Sequence, residues 1–118
     1  MKIYTFIALT FIILGFLVVD PAQSEISYEN YNRIKDTEFF KVYLGGLSDG
    51  YEWANAHLAK ERLPRLFCAP DNLALHTINY SQILSNYLSK PDSTSRFKPT
   101  DPIGPIVLMA LRDALPCP

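Results

Sequence analysis

The chain has 118 residues, of which 48% are hydrophobic and 19% charged, with 11 Lys and Arg against 12 Asp and Glu. This length holds one modest core and excludes a two-domain architecture once an N-terminal leader is removed. The near-balanced charge leaves no basic stripe, so neither nucleic acid nor an anionic membrane surface is an expected partner.

The first element is a leader. Lys2 supplies a short positive region, residues 3–19 form an apolar run without a charge, and Ala22-Gln23-Ser24 offers small residues where a signal peptidase reads them. A signal peptide over residues 1–24, cut after Ser24, is expected to leave a single domain over residues 25–118. The run is long for a signal core and short for a membrane span, so an uncleaved anchor is the alternative. No cysteine follows the run to carry a bacterial lipid anchor.

In residues 27–35, Tyr28, Tyr31 and Ile34 recur every three positions and predict a short helix. Over residues 37–58 the apolar stripe Phe40, Tyr43, Leu44, Leu47, Tyr51, Ala54 and Leu58 predicts a helix of about six turns. Asp36 or Thr37 is the expected cap, and Glu38 suits the positive end of the helix dipole. A second row, Phe39, Val42, Gly46, Gly50 and Trp53, makes this helix apolar over more than half its circumference, which predicts a central position. Gly45, Gly46 and Gly50 each cost roughly 1 kcal/mol of helix propensity. Close crossing by another helix at Gly46 and Gly50 is expected to compensate. The same face, with Trp53, is alternatively a homodimer surface.

Residues 60–65 read as a charged turn, which Pro64 keeps from continuing as helix. A third helix is expected over residues 75–89, with Leu75, Ile78, Gln82, Ile83 and Tyr87 on one flank and Leu84 and Leu88 beside them. Residues 90–104 are polar and rich in turn formers, which predicts an exposed loop. The last helix, residues 105–115, is almost wholly apolar, with proline suited to its start, and is expected to be buried. The fold class is therefore all-α, a small bundle of about four helices.

Cys68 and Cys117 are the two cysteines of the chain. Behind an export signal they enter an oxidising compartment and read as one structural disulfide. Closing a loop of that size is worth about 4 kcal/mol at most in the chain-entropy model. His57 and His76 complete a set of four nominal zinc ligands with the cysteines, but neither spacing nor redox setting suits a Cys-His site, and no metal is expected. A disulfide-bonded Cys68 cannot act as a nucleophile with His76. Asp49 and Glu52, one turn apart, read as a solvated edge, and Trp53 with Tyr51 as core or dimer surface. No catalytic residue and no cofactor follow, so an enzyme is not expected.

The stretch from Tyr43-Leu44-Gly45-Gly46-Leu47 through Ser48-Asp49-Gly50-Tyr51 is followed by Phe67-Cys68-Ala69-Pro70 and by Tyr87-Leu88 with Pro91. It ends in Ala110-Leu111-Arg112-Asp113-Ala114-Leu115-Pro116-Cys117. In order and spacing these elements resemble the Rap/Tai family of type VI secretion immunity proteins. The resemblance implies a small helical periplasmic protein, often a dimer, that binds a secreted peptidoglycan amidase and blocks its Cys-His cleft. Inhibition of this kind needs a rigid body presenting polar and aromatic side chains at low ordering cost. Ser93, Thr94, Ser95, Arg96 and Phe97 are the expected effector-binding residues, with Phe97 and Arg96 as anchors. Otherwise they form a solvated connector. A small periplasmic acid-stress chaperone, or another disulfide-stapled binding module, is the alternative function.

Overall fold

The computed structural model describes residues 25–118. The expected signal peptide and its cleavage site lie outside the described residues. Within them the chain forms α1 (Tyr28–Ile34), α2 (Glu38–Lys60), α3 (Thr77–Leu88), a single turn α4 (Ser93–Arg96) and α5 (Ile103–Ala114). The described residues contain no strand, only an isolated bridge between Ser27 and Pro102. The all-α bundle with one Cys68–Cys117 disulfide is thus present as expected.

The helix ends show why the chain breaks where it does. Thr37 caps α2, its hydroxyl accepting from the Phe40 N–H at 3.2 Å. At the other end Arg62 turns into the left-handed region, φ 58°. That turn lets Arg62 N–H reach the Ala59 carbonyl and Leu63 N–H reach the Leu58 carbonyl, satisfying two of the orphan acceptors of the last turn. At the start of α3, the Asn79 side chain accepts from the His76 N–H at 2.8 Å.

The core contains Tyr31, Phe40, Leu44, Phe67, Tyr80, Leu84, Tyr87, Ile103, Ile106, Val107, Ala110 and Leu111. Its most deeply enclosed helix is α5, as its apolar composition requires, and α3 packs on both α5 and α2. The central position expected of α2 is corrected. Its first row of apolar residues faces inward, while Phe39, Val42, Gly46, Gly50 and Trp53 face solvent. Apart from the adjoining backbone of α2 itself, no atom of the described residues lies within 4 Å of where a Cβ would stand at Gly46 or Gly50, so the close helix crossing expected there does not occur among them. The close approach is instead at buried Gly104. A Cβ there would lie 3.6 Å from the Tyr43 hydroxyl and 3.8 Å from Leu47, and the Tyr51 hydroxyl donates to the Gly104 carbonyl at 2.7 Å. These are ordinary van der Waals separations, and they show that Tyr43 and Tyr51 of α2 pack directly against the first turn of α5.

Two further expectations are corrected. The buried flank of α3 is Tyr80, Leu84 and Tyr87, whereas Ile78 and Gln82 are exposed. Residues 90–104 are mostly exposed, as expected, but they are not a simple loop, since they contain α4 and the start of α5 and are tied to residues 26–29. Their carbonyls at Pro99 and Asp101 accept from Glu29 and Tyr28 N–H, and the Ile103 N–H donates to the Ile26 carbonyl. The start of α1 leaves orphan N–H donors that need partners, and this segment supplies them.

Candidate functional site

Three features carry the chemistry of the surface: the turn at residues 93–97, the outer face of α2, and the stapled segment at residues 66–68.

The turn is pinned from beneath. Ser93 is buried, and its hydroxyl donates to the Tyr87 carbonyl at 2.6 Å. Phe97 packs between Tyr28 and Tyr87, with ring centroids 5.7 and 6.3 Å away. The expectation that Ser93 and Phe97 are presented outward is therefore corrected: Ser93 is enclosed, and Phe97 is half-buried against the core. Ser95 is exposed, with its hydroxyl bonded to the Asp92 carbonyl. Arg96 is held in place by the Tyr87 hydroxyl at 3.0 Å and the Asp92 carboxylate at 2.9 Å, with about half of its side chain in solvent (53%). Thr94 belongs to the same turn. Because the turn is tied inside, Ser95 and Arg96 are presented with little further ordering cost.

The outer face of α2 carries Phe39, Val42 and Trp53 at 66%, 75% and 77% exposure. Tyr51, paired with Trp53 at the sequence level, parts from it and bonds to Gly104. Beside Val42 a groove of about 730 Å³ separates α2 from exposed Ile78 at the start of α3.

The stapled segment is held by three independent ties. The Asn55 amide brackets its backbone, donating to the Phe67 carbonyl at 2.9 Å and accepting from the Leu66 N–H at 2.7 Å. Cys68 N–H donates to the Leu115 carbonyl at 2.8 Å, and the disulfide joins Cys68 to Cys117 with Cα atoms 4.8 Å apart. Asn55 escaped the reading of the sequence, although a lone amide beside the Tyr51–Leu58 stripe was a visible signal for it.

Asp49 and Glu52 are not both simply solvated. The Glu52 carboxylate accepts from the hydroxyl of Tyr80 at 2.8 Å. Burial, reinforced by that hydrogen bond and by the charge of Glu52, holds the Tyr80 phenol well above its ordinary range. Burial likewise raises Tyr31, where a hydrogen bond to Ser85 opposes the shift, and it raises Tyr43 and Tyr51. Among the described residues no three His, Cys, Asp or Glu side chains gather as metal ligands, and both sulfurs are in the disulfide. No helix of the described residues is long and apolar enough to cross a membrane.

No family model, no curated protein and no solved structure matches this chain.

Proposed function

We propose that this chain is an exported binding protein without catalysis of its own: a periplasmic immunity protein that inhibits a peptidoglycan amidase delivered by a type VI secretion system. The observation that carries the reading is the internally pinned turn, which holds Arg96 half-exposed between Tyr87 and Asp92 beside exposed Ser95. An ordered arginine is a favourable anchor for an enzyme cleft, since it loses little side-chain freedom on docking. The disulfide suits an oxidising compartment. The motif order around Gly46, Cys68 and Cys117 supplies the class of partner.

The test is a candidate cell-wall amidase, sought first in the adjacent reading frame. In molar excess, the purified chain is expected to abolish release of peptide from isolated cell walls. Arg96→Ala, checked for an unchanged melting temperature, is expected to weaken inhibition by about tenfold or more. An amidase that works at full rate in the presence of the intact chain rejects the reading. The chaperone alternative draws on the exposed apolar row of α2. It requires suppression of client aggregation at about pH 2 to 3, below the carboxylate range, which the immunity reading does not.

A further inference from the structure

We infer that the groove between the C-terminal half of α2 and residues 65–75 is a binding site for a short free peptide, about three small residues long, with its ammonium end at Asp49, Glu52 and Trp53 and its carboxylate end at Arg65. The inference uses none of the residues of the 93–97 turn, and its test needs no amidase, so it and the proposed function can fail separately.

The floor of the groove is written in helical spacing. Asp49, Glu52, Ala56 and Ala59 recur at three- and four-residue steps, which places them on one stripe of α2. The opposite wall is Phe67, Ala69, Leu73 and Leu75. That wall is held at a fixed distance from α2, because the Asn55 amide clasps the backbone at Leu66 and Phe67 and the disulfide fixes Cys68 between Phe67 and Ala69. Two hollows of about 350 and 360 Å³ lie along the stripe and share Glu52 and Ala56, so they form one continuous groove. Alanines at its floor leave room for a backbone with small side chains and none for bulky ones.

The two ends differ in charge. At one end Asp49 and Trp53 line the hollow with Glu52. One oxygen of the Glu52 carboxylate accepts from the Tyr80 hydroxyl at 2.8 Å, which orients the group and leaves its second oxygen without a bond among the described residues. Asp49 has no hydrogen bond or ion pair among those residues, and Trp53 is 77% exposed. Two carboxylates beside an indole face recognise an ammonium. At the other end stands Arg65, whose guanidinium has no hydrogen bond or ion pair among the described residues and matches a carboxylate in a forked pair. A ligand of a single charge sign would meet repulsion at one end, whereas a peptide with both termini free complements the two. The length agrees as well: Glu52 and Ala59 are separated by about 10 Å along the helix axis, and three extended residues span about the same distance.

Trp53 is the single tryptophan of the chain, so its fluorescence reads this groove directly. Titration with Ala-Ala-Ala bearing free termini is expected to change the emission saturably, with calorimetry giving the same midpoint. N-acetylation or C-amidation of the probe is expected to weaken binding about tenfold each, as is a probe extended by four residues at its N-terminus, which carries the ammonium away from Asp49 and Glu52. Arg65→Gln is expected to weaken binding of the free peptide about tenfold and to erase the penalty for C-amidation, and Asp49→Asn to erase the penalty for N-acetylation. Ala56→Leu fills the floor and is expected to abolish binding. All three substituted positions are exposed, and an unchanged circular dichroism melt confirms that the fold has survived. No saturable change up to about 10 mM peptide overturns the inference. So do equal affinities for the free, capped and extended probes, an Arg65→Gln variant that still discriminates against the amide, and undiminished binding by Ala56→Leu.

Discussion

Phe39 and Phe40 are adjacent and chemically identical, yet one is 66% exposed and the other 1%. They head the two rows of α2. The inner row, Phe40, Leu44 and the half-buried Tyr43, Leu47 and Tyr51, is spent on α5, α3 and α1, and its polar tips have partners such as the Gly104 carbonyl. The outer row keeps Phe39, Val42 and Trp53 in solvent, and at its two glycines nothing beyond the adjoining α2 backbone lies within 4 Å of a Cβ. Helical periodicity identifies surfaces that must leave water; it does not say whether the cover comes from the same molecule.

The largest effect that would break this contrast is at the pair itself. Phe40→Ala is expected to cost about 3–5 kcal/mol, as for other buried aromatics. Phe39→Ala is expected to change the stability of the dilute monomer by no more than about 0.5 kcal/mol. Urea unfolding of both variants measures the difference, and comparable losses would mean that the two rows are not distinct. Reduction of the Cys68–Cys117 bond, which closes a separation of 49 residues, is expected to lower stability by up to about 4 kcal/mol while leaving the α2 rows in place. Thermal melts with and without reductant check it.

Alkaline titration sharpens the account of the inner side. Tyr31, Tyr43, Tyr51 and Tyr80 all have phenols raised above the ordinary 10.0 in the folded state, chiefly by burial. The folded chain therefore holds these protons more tightly than the unfolded chain. The corresponding stability is complete below pH 10.0 and is lost as pH rises toward the folded-state values. Tyr80→Phe removes the bond to Glu52, costs about 0.5–1.5 kcal/mol at neutral pH, and is expected to make the alkaline loss shallower. Urea midpoints from about pH 8 to about pH 11 test both parts. The remaining effect has the opposite sign. Arg62→Gly at φ 58° is expected to stabilise the chain by about 1 kcal/mol, since glycine adopts the left-handed region without the Cβ penalty. A thermal shift would register it.

The legible parts of the fold were those written in neighbouring residues. Thr37 before Glu38, the stripe from Phe40 to Leu58 and the apolar run around Ile106 each specify a helix by local geometry, and each is found. The site was less legible. Ser93 looked like a presented hydroxyl because its neighbours are polar, whereas it is buried beneath the Tyr87 carbonyl. Glu52 looked like a surface residue because its partner Tyr80 is distant in sequence, and Asn55 drew no notice because its partners Leu66 and Phe67 are distant as well.

Alone, the amino-acid order determined an all-helical chain with two cysteines suited to one bond, because helix periodicity, capping and redox chemistry act over a few residues or on composition. Only the tertiary structure decided which row of α2 is inside, that Gly104 rather than Gly46 receives the close approach, and that residues 90–104 strap the start of α1. Those outcomes depend on which surfaces meet once several helices compete for the same core, and a one-dimensional pattern carries no record of that competition.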